Sequence, residues 1–304
     1  MLFTVALCTW NGSGTLARTL ARLAGLDVGD VEWELVVIDN ASTDATPAVL
    51  SRAPAGLPLR VEHEPRLGLS HARNRAVRTA RGRWIVWLDD DVLVDPGWLR
   101  AYQRAVERWA GAGFLGGPIQ PRFEHAPPEW LIANGSRLAG VYGTRDLGTA
   151  PIELDRSSLP FGANMAVRVD IARRVPFDPQ LGLSGCDRLV GEETDHLHRI
   201  VDLGYRGWWV PEARVEHVIG AEQLTLGHVR RFFEGLGRAV GLKRGPDFPA
   251  SWFAALAYER RLRAAVASGA ASESWMPLLI NASLARGRCV APHGRGTAQR
   301  PAPG

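Results

Sequence analysis

Two short runs of carboxylates stand out along the chain. Asp89-Asp90-Asp91 follows the apolar run Trp84–Leu88, and Glu192-Glu193-Thr194-Asp195 follows Gly191. Two carboxylates one residue apart can share a hard divalent cation and leave positions open for phosphate oxygens and water. Three adjacent acids repel one another and are a costly way to cap a helix, although a solvated acidic turn stays open for the triplet alone. In the second run, Glu192 and Asp195 stand three apart and share one face of a helix. Negative charge at a helix start is favourable in itself. The functional alternative is a general base whose pKa is raised by crowded like charge. His217, in Val-Glu-His-Val, is either a satisfied buried histidine or a metal ligand. The other seven histidines and the three cysteines show no spacing of a zinc site or a disulfide framework.

A competing motif lies earlier. Gly12-Ser13-Gly14-Thr15-Leu16-Ala17 matches the dinucleotide fingerprint of NAD(P)-dependent oxidoreductases, and Asp39 ends the next strand as a ribose-binding acid would. The fingerprint requires its first glycine at the strand end, whereas Thr9, Trp10 and Asn11 intervene here. It also leaves the aspartate triplet without a role, so it is the weaker reading.

The elements that must position these residues alternate. Met1–Cys8, Glu34–Asp39 and Trp84–Leu88 are short apolar runs and predict buried strands. Leu16, Leu20 and Leu23 recur at helical spacing between the first two, Thr46-Pro47 opens a short helix, and Ser70 caps another that Gly82 stops. Asp95-Pro96 opens a helix ending near Trp109. This order predicts an α/β fold, a mostly parallel Rossmann-like sheet flanked by helices. After Gly113 the alternation loosens. A helix from about Glu192 to Leu203, strands at Trp208–Val210 and Arg214–Val218, and helices at Thr225–Val240, Trp252–Ala267 and Ser274–Ala285 complete the pattern. From Gly287 onward large apolar residues are almost absent, which predicts a flexible tail.

Composition excludes several classes. The 304 residues are 46% hydrophobic and 22% charged, as in an ordinary globular chain. No apolar run approaches the roughly 20 residues of a membrane helix, and the first residues lack the pattern of an export signal. A cytoplasmic protein is expected. Residues 1–220 hold 24 arginines against 27 acids, while residues 221–304 hold 12 basic residues against 5 acids. The basic excess is therefore C-terminal rather than a stripe on the core, which argues against a nucleic-acid binder.

Six segments in order resemble family 2 glycosyltransferases of the GT-A fold, over roughly residues 3–220. They are Val5–Asn11, Leu35–Asp44, Gly68–Asn74, Ile85–Asp91, Phe161–Met165 and Gly191–Asp195. The resemblance implies transfer of a sugar from a nucleotide diphosphate sugar, expected to be UDP-linked, to a glycan, lipid-linked or small-molecule hydroxyl acceptor with inversion. Thr9, Trp10 and Asn11 would then lie against the nucleotide, Asp39 would accept a hydrogen bond from its base, and Asp44 would support that loop. Arg73 would approach the nucleotide. Asp89, Asp90 and Asp91 form the D-x-D motif, whose outer members bind ribose and Mn²⁺ or Mg²⁺, with His217 completing the metal shell. Gly162, Ala163 and Asn164 would border the donor sugar. Glu193 would be the base with Glu192 beside it and Asp195 as the fallback. Trp10 stands where the family usually has Tyr, and Glu193 where it usually has Asp.

The expected organisation is a GT-A catalytic domain over 1–220, with a nucleotide-sugar half to about 115 and an acceptor half from about 116. A helical extension over 221–286 and the tail over 287–304 follow. The basic extension is expected either to meet the acceptor or an anionic membrane surface, or only to pack on the catalytic domain. A sugar nucleotidyltransferase would carry a Gly-rich loop with Arg and Lys after the first strand, and only Arg18 is near. A catalytically inactive sugar-nucleotide-binding module would have no need of Asp89, Asp91 and Glu193 together.

Overall fold

Side-chain alternation along β1 (Phe3–Thr9) decides the layering. Phe3, Val5 and Leu7 join a core on one face of the sheet and Ala6 joins a core on the other, all four fully buried. A strand buried on both faces needs helices on both sides. The computed structural model, which describes residues 1–184, 187–244 and 248–289, has that arrangement. Helix α1 (Leu16–Ala24) lays Leu16, Leu20 and Leu23 on the first face. The chain then runs through β2 (Trp33–Asp39), α2 (Thr46–Ser51) and β3 (Leu59–His63). Helix α3 (Leu69–Thr79) covers the opposite face with Ala72, Ala76 and Val77. After β4 (Trp84–Asp89) and β5 (Val92–Val94), α4 (Trp98–Arg108) returns to the first face with Trp98, Leu99 and Tyr102.

The second half is built from shorter pieces. They are β6 (Phe114–Gly116), β7 (Ile119–Phe123), α5 (Glu129–Ala133), α6 (Gly135–Leu138), β8 (Glu153–Leu154), β9 (Met165–Arg168) and α7 (Val169–Arg174). The hairpin β10 (Gly182–Ser184) and β11 (Asp187–Leu189) leads into α8 (Glu192–Asp202), followed by β12 (Gly207–Trp209) and β13 (Val215–Ile219). Three helices close the described chain: α9 (Leu226–Arg244), α10 (Phe248–Ala267) and α11 (Ser272–Cys289).

The main sheet has eight strands in the order β3-β2-β1-β4-β9-β6-β12-β8. Strands β1 to β4 are mutually parallel, and β9 runs antiparallel to both of its neighbours. Register pairs Thr9 with Asp39 and Cys8 with Asp89, so three parallel strands end at one line. A second sheet, β5-β13-β7, carries the chain away from that line.

The α/β expectation is met, with two departures. Strand β3 has no apolar run, because Leu-Arg-Val-Glu-His sits at the sheet edge where only one neighbour and partial burial are required. Helix α11 runs on through Cys289 with Ala285 and Gly287 buried, so the expected tail does not begin at 287. Residues 290–304 and Cys186 lie outside the described residues. Helices α9 to α11 also share a core with the preceding segment, where Leu138, Tyr142 and Ile219 pack with Val229 and Met276. Among the described residues no helix is long and apolar enough to cross a membrane.

Candidate active site

The ends of the parallel strands open on a cleft of about 660 Å³, at the position where open α/β sheets bind ligands. The aspartate triplet spans the end of β4 and the turn into β5, and all three residues line the cleft. Asp90 Oδ2 accepts a hydrogen bond from Thr9 Oγ1 at 2.5 Å, and its carbonyl accepts one from Thr19 Oγ1 at 2.8 Å. Gly12 packs so closely on Asp90 and Thr9 that a Cβ there would collide with both. The first glycine of the apparent dinucleotide fingerprint is thus required by the aspartate turn. Burial and the neighbouring Asp91 push Asp90 up to about 7.

Asp89 and Asp91 also open on the cleft. The Asp89 side chain is 40% exposed, and burial of its surroundings raises its pKa against the pull of Arg73. Asp91 Oδ2 lies 3.2 Å from His217 Nε2, and His217 Nδ1 lies 2.7 Å from the Tyr142 carbonyl oxygen. Pairing of β13 with β5 sets His217 opposite Val92 and brings these two residues together across 126 positions. Burial alone would lower the His217 pKa, but Asp91, the Tyr142 carbonyl and Asp89 together push it up to about 9. A histidine whose Nδ1–H is held by a carbonyl presents Nε2 in the orientation that metal-ligating histidines use.

The second acidic run starts α8 behind Gly191, and its three carboxylates go to three places. Glu192 is buried, and its Oε1 accepts a hydrogen bond from Arg73 Nη1 at 2.9 Å. Burial and the adjacent Glu193 push Glu192 up to about 8, although Arg73 opposes them. Glu193, half-buried, lines the cleft. Asp195 is turned away, bound by Arg199 at 2.9 Å and by Lys243 of α9. Burial works against its ionisation, but these two cations hold it below the usual range. The geometry therefore takes Asp195 out of the fallback role as base.

Arg73 is buried beside Glu192. Its guanidinium lies between the rings of Trp87 and Phe177, 5.7 and 5.4 Å from their centroids, and only 3% of the residue is exposed. Its Nη2 is 3.9 Å from Asp89 Oδ1. Gly162 leaves room for it, since a Cβ there would strike the guanidinium. Arg73 thus ties the end of β4 to the start of α8 while lining the floor of the cleft.

The loops after β1 and β2 are held by their own polar residues. Asn11, at φ 55°, accepts a hydrogen bond from Thr43 N at 2.8 Å, and its backbone N–H donates to Ser42 Oγ at 3.0 Å. Asp39 Oδ1 accepts from Ser42 N at 3.0 Å. Asp44 accepts from Ser13 N at 3.1 Å and Thr46 N at 2.9 Å. Burial opposes its ionisation, yet these bonds hold the Asp44 carboxyl well below the usual range. Trp10 is 42% exposed on the cleft wall.

Of the Gly162–Asn164 segment, Gly162 and Ala163 line the cleft, whereas Asn164 is fully buried. Its Nδ2 donates to the carbonyls of Pro118 and Ala213, and its Oδ1 accepts from Trp98 Nε1 and Tyr102 OH. With its side-chain partners used, Asn164 pins the loop beneath the cleft surface.

Several positioning residues escape a motif reading. Asn40 ties its loop to the Glu64 and Arg66 carbonyls and to Gly68 N. Ser70 donates to the Leu181 carbonyl at 2.7 Å, and Asn74 both donates to and accepts from the Phe177 backbone. Ser70, Arg73 and Asn74 all lie in the Gly68–Asn74 segment, and their helical spacing was the available signal. Nothing in the sequence foretold that Phe232, Phe233 and Leu236 of α9 complete the cleft wall.

Residues 4–139 match the sequence model of Glycosyl transferase family 2. That region, a little under half of the chain, is similar to this family. Among related proteins, ExoM, a succinoglycan biosynthesis protein of Rhizobium meliloti, is 25% identical over 239 residues, 76% of this chain and 72% of ExoM. ExoO of the same organism is 36% identical over 110 residues, of which the match spans only 30% of ExoO's length. The fold is shared with the mannosyltransferase PcManGT of Pyrobaculum calidifontis, at TM-score 0.62 and 19% identity over 95% of this chain and 86% of that one. It is shared too with TarS 1–349 of S. aureus, at TM-score 0.53 and 16% identity over 88% and 72% of the two chains. The architecture is GT-A.

Proposed function

We propose that the protein transfers a sugar from a nucleoside diphosphate sugar to a hydroxyl of a glycan, lipid-linked or small-molecule acceptor, with inversion, in building a polysaccharide or glycoconjugate. The observation that carries this reading is one cleft lined by Asp89 and Asp91 at a strand end and by Glu193 at a helix start. Related proteins support it: ExoM and ExoO are named for succinoglycan biosynthesis, and TarS is a poly(ribitol-phosphate) β-N-acetylglucosaminyltransferase. The solved neighbours were obtained with UDP in one case and with GDP-Man and Mn²⁺ in another. A UDP-sugar is the donor we favour.

The donor set suits a divalent cation of Mn²⁺ or Mg²⁺ type. Asp89 and Asp91 offer carboxylate oxygens toward the cleft, and His217 presents Nε2 beside Asp91. No three His, Cys, Asp or Glu side chains among the described residues form a ready-made cage. A hard ion that takes several oxygens from substrate and water fits such a partial shell. When bound, it would neutralise charge developing on the departing diphosphate.

The chain's own residues supply the rest. Trp10 offers a ring for the base, and Gly162 and Ala163 leave space beside the sugar. Glu193 takes the acceptor proton as the hydroxyl oxygen attacks the anomeric carbon from the face opposite the diphosphate. Glu192, held by Arg73, fixes the start of α8 so that Glu193 stays on the cleft. The test is release of nucleoside diphosphate from a panel of UDP-, GDP- and dTDP-sugars, with Mn²⁺ and with EDTA. Metal-dependent release from at least one donor is expected. No release from any donor, with nucleotide binding intact, would leave a binding module.

A further inference from the structure

The outer face of α10 has no partner within the described chain. Trp252 is 46% exposed, Phe253 65%, Leu256 46% and Val266 55%, whereas Ala255 and Leu262 on the opposite side are buried. Trp252 and Phe253 meet edge to face at 5.1 Å. Trp252, Leu256, Arg260 and Arg263 follow one another at three or four residues and so share this face, with Phe253 and Val266 on its flanks. The two arginines are exposed.

The charge on this face has one sign. The only acid of α10 is Glu259, which lies toward the interior and is bound by Arg230 at 2.6 Å and by Arg286 at 3.0 Å. An exposed aromatic and aliphatic turn next to exposed arginines suits a bilayer surface, where rings settle at headgroup level and arginines meet anionic headgroups. The arginine stems are long enough to keep their charge at phosphate level while the helix sinks. A second copy fits less well. A two-fold contact centred on this face would bring the same arginines toward one another with no acid to meet them.

We propose that the Trp252–Leu256 turn of α10, with Arg260 and Arg263, docks the protein on an anionic phospholipid surface. This narrows the membrane contact expected of the basic C-terminal segment to one helix face, and it stands independently of the transfer reaction. The experiment is flotation of the full chain with vesicles of phosphatidylcholine alone or mixed with phosphatidylglycerol. Binding to the mixed vesicles and little to the neutral ones is expected. Trp252→Ser with Phe253→Ser should weaken binding at least about ten-fold. Arg260→Gln with Arg263→Gln should weaken it by roughly five-fold per arginine and flatten its salt dependence. Circular dichroism and UDP titration check that each variant is folded, and Leu256→Gln serves as a milder probe of the same turn. No binding to anionic vesicles, or binding equal in the wild type and all variants, would overturn the proposal. A stable dimer that Trp252→Ser dissociates, without vesicle binding, would assign the face to a second copy and overturn it too.

Discussion

The molecule contains two acidic clusters of similar composition, and they are used in different ways. Asp89–Asp91 runs from a strand end into a turn, and all three line the cleft: Asp90 bonds to Thr9, Asp91 to His217, and Asp89 faces Arg73. Glu192, Glu193 and Asp195 begin a helix, where each residue turns through about 100°. They therefore separate into a buried carboxyl hydrogen-bonded by Arg73, a half-buried carboxylate on the cleft, and an outward tether to Arg199 and Lys243. Asp90 in the first cluster, and Glu192 and Asp195 in the second, are held by partners within the protein. Carboxylate spacing has a meaning only once the local period is known.

Four measurements would break or sharpen this contrast. The largest effect is expected for Glu193→Gln, which keeps the shape but cannot accept a proton. Turnover should fall about 10²–10⁴-fold while donor affinity changes only a few-fold. Near-normal turnover would remove Glu193 from the chemistry. Asp91→Asn should come next, cutting the gain in UDP affinity that Mn²⁺ gives over EDTA by about 10–100-fold, as measured by calorimetric titration. An unchanged gain would move the cation elsewhere.

The third expectation concerns pH. Glu192 titrates at about 8 in the folded protein against an ordinary 4.5, so the native state holds the extra proton across that window. Stability should therefore be full below the unfolded value and decline as pH rises from 4.5 towards 8. Urea denaturation across this range should show the slope, and Glu192→Gln should flatten it. A slope of opposite sign would mean that the Arg73 pairing outweighs burial. The smallest effect is assigned to Asp195→Asn. Its partners Lys243 and Arg199 are 49% and 38% exposed, so the loss of stability should not exceed about 1 kcal/mol and turnover should stay near normal. An inactive Asp195→Asn variant would break the division of labour drawn above.

Much of the first half was legible because its signals are local. Buried strands on both faces read as apolar runs, and α1 reads from Leu16, Leu20 and Leu23. Edge strand β3 was not legible, since a strand with one partner needs no such run. The helix after Asp95-Pro96 begins later than the proline suggests, because Asp95 and Trp98 first close a turn. The six segments marked the family resemblance, yet they did not distinguish ligand contact from support. Asn164 belongs to a motif segment yet is bonded wholly within the fold, whereas Arg73 both bonds to Glu192 and lines the cleft.

By itself the sequence determined the alternation of strands and helices, the carboxylates at the ends of β4 and the start of α8, and the uneven distribution of basic residues. These follow from side-chain period, turn chemistry and composition, which act over a few residues. Only the tertiary structure decided what each acid is bonded to. Those partners lie far away in the chain: Thr9 for Asp90, Arg73 for Glu192, His217 for Asp91 and Lys243 for Asp195. A polar side chain reports its own chemistry in sequence, but its exposure and charge are set by whatever the fold places within a few ångströms of it.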